Sequence, residues 1–129
     1  MANEINVTAS LAYSNATASI LGKLLAWLNK PFTISGVNLV VATFSVPTVS
    51  GGGPAALPGL DVLTTVGWAA FVNHDPTNYV DLMTAVAGVA FARLLPGECA
   101  VFRLPAAMVA PAALAHTADC LIEYLILEN

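Results

Sequence analysis

Hydrophobic and polar residues alternate along much of the chain with a repeat of two. In 4–13, for example, Ile5, Val7 and Ala9 each lie between two polar residues. This period predicts strands with one buried and one solvated face. The predicted strands are 4–13, 31–35, 39–46, 66–73, 79–83, 86–95, 99–104 and 119–128. About eight or nine short strands at this spacing predict an all-β fold, a jelly-roll-like antiparallel β-sandwich built as one domain over residues 1–129.

Glycine, proline and short polar side chains mark the connections between these strands. Pro96 and Gly97 stand at the centre of a four-residue turn, which is the sequence of a type II turn. His74 and Asp75 lie in a loop rich in Asn, Asp and Thr. We interpret this loop as a turn held by hydrogen bonds from side chains to backbone, rather than as the start of a metal or acid–base site.

Three segments depart from simple alternation. Leucines at helical spacing in 19–28 allow a short amphipathic helix, although a strand is favoured there. In 106–115, Pro111 argues against a helix, so a loop with a short strand is expected. The last stretch, 119–128, is apolar on both faces except at Glu123. A central strand, or one covered by a neighbouring subunit, has this pattern.

Composition changes the picture of the surface. Hydrophobic residues make up 57% of the chain and charged residues 9%, against about 45–50% and about 25% in ordinary globular domains. So few charges cannot cover the exterior of a soluble domain. Part of the surface is therefore expected to pack against other subunits.

Charge and hydropathy patterns argue against two classes of partner. No stretch reads as about 20 consecutive apolar residues, so a membrane helix is not expected and we predict synthesis in the cytoplasm. The formal net charge is −4, and nucleic-acid binding requires a basic patch. The four cations are scattered and form no such patch: Lys23, Lys30, Arg93 and Arg103.

No pattern of catalytic, cofactor-binding or metal-binding residues is recognisable, so no enzyme activity and no cofactor are predicted. The carboxylates are not paired in the sequence as a glycosidase requires. Cys99 and Cys120 are expected to be buried thiols. Trp27 and Trp68 are interpreted as packing or interface anchors. The alternative is that one of them stacks on sugar in a carbohydrate-binding module for host attachment.

Several short blocks, in order, resemble a group of small structural proteins from the particles of tailed bacteriophages. The blocks are 1–5, then 67–73 followed by Asp75 and 77–81, then 95–104 and 117–126. They include a loop of the type N-x-D-x-T-N-Y-V, a turn of the type L-x-P-G-E and a closing strand of the type E-Y-L-I-x-E. The sequence departs from that pattern in the apolar segment 19–28, and at His74 and Pro76 within the loop.

The resemblance implies a β-sandwich located in the virion and carries no catalytic residues. We expect a non-enzymatic capsid decoration, or cement, protein that binds the major capsid protein on the capsid surface and self-associates, as a homotrimer. A tail, collar or fibre-associated component is the alternative with the same fold. The residues expected to form packing or interface contacts are Trp27, Trp68, Phe102, Tyr124 and Ile126.

Overall fold

The computed structural model describes residues 3–7, 30–34, 36, 38–108 and 110–129. The chain divides into two compact units, Met1–Ser35 and Gly36–Asn129. In the first unit, strand β1 (Asn3–Val7) pairs antiparallel with strand β2 (Lys30–Ile34). The segment 19–28, for which the sequence allows strand or helix, lies outside the described residues.

The second unit is an antiparallel β-sandwich, which confirms the predicted fold class. One sheet has the order β3-β10-β5-β8 and the other the order β4-β9-β6-β7. The strands are β3 (Leu39–Val46), β4 (Ala55–Ala56), β5 (Val66–Asn73), β6 (Val80–Met83), β7 (Ala90–Leu94), β8 (Cys99–Arg103), β9 (Ala112–Ala115) and β10 (Cys120–Glu128). Among the described residues, no helix is long and apolar enough to cross a membrane.

The connectivity of the eight sandwich strands is that of a jelly roll. The pairs β3–β10, β4–β9, β5–β8 and β6–β7 nest inside one another, as in one long hairpin whose tip joins β6 to β7. The further pairs β10–β5 and β9–β6 close this rolled hairpin into two sheets. Such nesting produces the two Greek keys of the jelly-roll architecture.

The hydrophobic core lies between the two sheets. Alternate residues of each strand enter it, so that Ile122 and Ile126 of β10 meet Phe71 of β5 and Leu82 of β6. Each of these side chains is almost fully buried, and complete burial of such a side chain stabilises the fold by about 1.5–3 kcal/mol. Because β10 lies between β3 and β5, it is one of the two inner strands of its sheet.

Buried polar groups hold β10 in place at its end and at its middle. The Glu128 carboxylate accepts hydrogen bonds from the backbone N–H of Asn38 (3.2 Å), its side-chain amide (3.0 Å) and the backbone N–H of Thr64 (2.9 Å). The Tyr124 hydroxyl donates to the Pro58 carbonyl oxygen over 2.5 Å. These bonds satisfy polar atoms that would otherwise be costly to bury.

Strand bounds follow the sequence pattern closely in some places and not in others. Strands β3 and β5 have the predicted bounds, but the predicted strand 86–95 is wrong over its first part, because β7 begins at Ala90. A turn occupies the preceding residues, with Thr84 N–H donating to Val89 O over 3.0 Å. The chain reverses here because this turn is the tip of the rolled hairpin.

The predicted turn before β8 is confirmed. Gly97 has a φ of 74°, the left-handed value that the third residue of a type II turn requires. Glu98 N–H donates to Leu95 O over 3.0 Å, and the Glu98 carboxylate accepts from Leu95 N–H over 2.8 Å. Both hydrogen bonds hold the turn from which β8 starts.

Candidate functional site

The outer face of the β3-β10-β5-β8 sheet is the most distinctive surface of the sandwich. We define this outer face as the alternate side chains of the four strands that point away from the core. They are Leu39, Val41, Thr43 and Ser45 of β3, Leu121, Glu123, Leu125 and Leu127 of β10, Trp68, Ala70 and Val72 of β5, and Cys99, Val101 and Arg103 of β8. Most of these side chains are apolar.

Strand register joins the apolar side chains into a continuous row. Val41 is opposite Leu125, Leu125 is opposite Ala70, and Ala70 is opposite Val101. Because the Ala70 side chain is short, a shallow groove of about 200 Å³ runs beside it, with Val41 and Leu125 among its walls. The row crosses all four strands, so the outer face is one patch rather than scattered residues.

Exposure on this patch is high for large apolar groups. Leu39 and Val41 are each 56% exposed, and Val101 and Leu121 are close to half exposed. Contiguous apolar patches of this kind are uncommon on monomeric soluble proteins and mark sites of association. The outer face is therefore chemically suited to burial against another protein surface.

Polar groups border the patch. The His74 ring Nε2 lies 2.9 Å from the Glu123 carboxylate, and both side chains are close to half exposed. At another corner, Arg103 donates to the Asn129 side-chain oxygen over 2.6 Å. A polar rim around an apolar centre is the usual anatomy of a protein interface.

A second cluster lies on the other sheet, around Asp81. Its carboxylate accepts from Arg93 Nε over 2.7 Å and from Arg93 Nη2 over 3.0 Å, and His116 Nε2 lies 2.7 Å from Oδ2. The Tyr79 ring stacks on His116, with ring centroids 4.7 Å apart, and the Arg93 guanidinium lies 4.0 Å from the Tyr79 centroid. The sequence did not reveal this cluster, because its members come from three separated strands and their flanks.

The electrostatics of this cluster favour a structural role. The Arg93 hydrogen bonds hold the pKa of the Asp81 carboxyl below its ordinary value, the His116 contact acts in the same direction, and burial opposes them. The carboxyl is thus ionised at neutral pH, with both oxygens hydrogen-bonded. A general acid needs a proton near the operating pH, so Asp81 is poorly suited to that chemistry.

The polar loop after β5 is a hydrogen-bonded turn, as predicted. Asp75 Oδ1 accepts from the backbone N–H groups of Thr77 (2.8 Å) and Asn78 (2.6 Å). The Thr77 bond, followed by the Asn78 bond, lowers the pKa of the Asp75 carboxyl. Asn73 is fully buried beneath the loop, and its amide nitrogen donates to the carbonyl oxygens of Asn78, Leu94 and Leu95.

The residues predicted to form packing or interface contacts occupy different environments. Tyr124 and Ile126 are buried in the core, and Phe102 is partly buried against it. Trp68 lies on the outer face and is half-buried. Trp27 lies outside the described residues. Of the described members, Trp68 alone lies on the exposed sheet surface.

The two cysteines differ in exposure, which corrects one expectation. Cys120 is buried and burial raises the pKa of its thiol, whereas Cys99 is exposed at the start of edge strand β8. The prediction of two buried thiols is wrong for Cys99, because the side chains of β8 alternate and Cys99 points away from the core. Its position on the outer face follows from the turn at Gly97, which sets the phase of the strand.

Other concave surfaces offer little chemistry. A cleft of about 380 Å³ is bordered by Leu57, Gly59, Leu60, Asp61, Leu63 and Ala110, with one carboxylate and no second titratable group. Within the described residues, no group of three or more His, Cys, Asp or Glu side chains could hold a metal ion. No protein-family model and no curated protein matches the chain.

Proposed function

We propose that this chain is a non-enzymatic structural subunit of a virus particle, specifically a decoration protein of a tailed-phage capsid. The outer face of the β3-β10-β5-β8 sheet would dock on the major capsid protein and stabilise the shell by burying apolar area. One observation carries this proposal, namely the continuous apolar row from Val41 to Val101 across the whole sheet.

The jelly-roll connectivity supports the proposal at the level of architecture, because capsid proteins are among the proteins that use it. The same architecture serves lectins and cupins, so the fold alone does not select a function. The surface chemistry of the outer face favours a structural role over sugar binding. A sugar site needs exposed aromatic rings and polar groups together, whereas the outer face offers aliphatic side chains and a half-buried Trp68.

Energetics agree with a docking role. A standard interface buries about 1,600 Å² in total, and apolar area contributes about 25 cal/mol for each Å² removed from water. The exposed aliphatic groups on the outer face would supply the central, desolvated part of such an interface. The bordering Glu123–His74 pair and Arg103 would remain at its wetter margin.

Location within particles tests the proposal directly. Gold-labelled antibodies against the purified chain are expected to label the heads of tailed-phage particles from a lysate that contains this chain. Label confined to tails would support the tail-component alternative, and particles without label would overturn the proposal. The chain must also be detected by mass spectrometry in the same particle fraction.

Two variants test the surface. Val41→Lys places a charge in the apolar row of the outer face, and Val89→Lys places the same charge in the turn between β6 and β7, where Val89 is 72% exposed. On shells stripped of the bound chain, Val41→Lys is expected to lose binding and Val89→Lys to keep it. Equal binding by the two variants would show that the outer face does not dock.

A further inference from the structure

Among the strands that the structure describes, four lie at the edges of the two sandwich sheets, and three of these are protected against pairing with another chain. Open edges are ordinarily protected by shortness, charged side chains or bulges. Strand β4 is two residues long. Strand β7 contains Arg93, and its register with β6 shifts after Leu82. Strand β8 is five residues long and ends in Arg103.

The fourth edge strand, β3, has none of these protections. It is eight residues long, Leu39–Val46, and contains no charged residue, no proline and no glycine. Its register with β10 runs without a shift from the Leu39–Leu127 pair to the Val46–Cys120 pair. Its valines, threonine and phenylalanine favour extended backbone. An edge of this length and composition is a template for another strand.

The register also identifies which backbone N–H and C=O groups of β3 are open to pairing with another strand. Glu128 N–H donates to the carbonyl oxygen of Asn38 over 2.9 Å, and these two residues stand opposite each other. In an antiparallel ladder such hydrogen-bonded pairs alternate with pairs whose N–H and C=O groups point outward. The backbone groups that point to the open edge therefore belong to Leu39, Val41, Thr43 and Ser45. All four side chains are exposed.

We propose that β3 pairs antiparallel with β3 of a second copy of this chain, across a two-fold axis near Ala42. A two-fold axis makes an antiparallel strand its own partner, since each contact occurs twice. In the register with the largest overlap, Val41 faces Thr43 of the second copy and Leu39 faces Ser45. All four outward-pointing residues are then paired, in about eight main-chain hydrogen bonds.

Side-chain chemistry favours this partner. No like charges meet, because β3 carries no charge, and a Val41–Thr43 neighbour is a pair of β-branched residues that suits a sheet. The product is a closed dimer rather than a filament, because the β3 edges of both copies are used in the pairing. The joined sheet then has β8, with its Arg103, at both outer edges. The two outer faces then form one surface across an eight-stranded sheet.

This inference goes beyond the proposed function and does not depend on it. A dimer that fails to bind phage shells would support the inference and count against the decoration role. The decisive variant is Thr43→Pro, which removes an N–H from the open edge and none from the β3–β10 ladder. Val101→Pro is the matched control, since Leu104 N–H donates to Gly67 O and so places Val101 N–H at the open edge of β8.

Light scattering after gel filtration of the full chain is expected to give twice the chain mass of 13.3 kDa. Thr43→Pro should raise the dimer dissociation constant at least about tenfold through lost hydrogen bonds, and Val101→Pro should leave it unchanged. A monomer, or a trimer with the same mass in the Thr43→Pro variant, would overturn the inference.

Hydrogen exchange provides a readout that does not require a variant to fold. In the dimer, the amides of Leu39, Val41 and Thr43 are expected to exchange slowly, whereas the open-edge amides of Cys99 and Val101 in β8 exchange fast. Dilution below the dissociation constant should remove the protection from β3 alone. Fast exchange of the three β3 amides at high protein concentration would contradict the pairing.

Discussion

Asp81 and Arg93 form a two-point ion pair across neighbouring strands, with Nε 2.7 Å from Oδ1 and Nη2 3.0 Å from Oδ2. The two residues stand directly opposite each other in β6 and β7. The Asp81 side chain is nearly buried and the Arg93 side chain is half exposed. Because β7 pairs only with β6 among the described strands, this ion pair stabilises the edge of its sheet.

Loss of this pair is expected to weaken the sandwich. The substitution Asp81→Asn preserves the size of the side chain but removes the negative charge and one of the two acceptor oxygens that Arg93 and His116 contact. Since Arg93 is half exposed and screened by solvent, we expect a loss of about 1–2 kcal/mol in the free energy of unfolding. Urea denaturation of wild type and variant measures it. Asp61→Asn, at an exposed site, is the control and should change stability little.

The same carboxyl predicts a pH dependence. Its pKa is lowered in the fold, chiefly by the Arg93 hydrogen bonds, and the His116 contact contributes. A lowered pKa means that the folded state binds its proton less tightly than the unfolded chain does. The stabilisation is therefore present above the ordinary value of 3.8 and disappears as the pH falls through the folded pKa. The stability gap between wild type and Asp81→Asn should be largest near neutrality and narrow below pH 3.8; a gap that widens on acidification would contradict this assignment.

Asn73 is predicted to be a stronger determinant of stability than its neighbour in the loop. Its buried amide donates to three carbonyl oxygens, and its side-chain oxygen accepts from Asp75 N–H over 3.0 Å. Asn73→Ala leaves buried polar groups unpaired, at a cost of about 2–3 kcal/mol. His74→Ala, at the adjacent exposed position, should cost less than about 1 kcal/mol. Thermal and urea unfolding compare the two; equal losses would mean that the Asn73 bonds are replaced by water.

The sequence predicted the strands best where one face is buried and the other is solvated. Strand β3 is an example, since Val40, Ala42 and Phe44 pack towards the core while Val41 and Thr43 are exposed. Because successive side chains of a strand point to opposite faces, assigning the strand also assigns the face on which each side chain lies. For the same reason, the turn at Gly97 fixed where β8 starts, and this start determined which of its side chains point towards the core.

Contacts between residues far apart in the chain could not be predicted from the pattern of hydrophobic and polar positions. The Asp81 cluster joins Arg93 and His116 across 12 and 35 positions, and no local period encodes such a meeting. The two-residue strand β4 is too short to show alternation. Apolarity on both faces of β10 was visible in the sequence, but the exposure of its outer face became clear only when its neighbours β3 and β5 were known.

Neighbouring residues of β10 are predicted to separate folding from assembly. Ile126 is fully buried in the core, whereas Leu127 lies on the outer face opposite Leu39. Ile126→Ala should cost about 2–5 kcal/mol in the free energy of unfolding, through lost transfer energy and a cavity. Leu127→Ala should cost less than about 1 kcal/mol, since its side chain is already partly solvated.

For binding to phage shells we expect the opposite ranking, with the larger loss of affinity in Leu127→Ala. Binding is measured for both variants at a temperature where each is folded. If the outer face docks on the shell, Leu127→Ala weakens binding because it removes apolar area from the interface, while folded Ile126→Ala retains affinity near the wild-type value. Strong binding by Leu127→Ala together with weak binding by folded Ile126→Ala would contradict docking through the outer face, because the buried residue cannot touch a partner directly. Circular dichroism of each sample shows that the variants compared are folded.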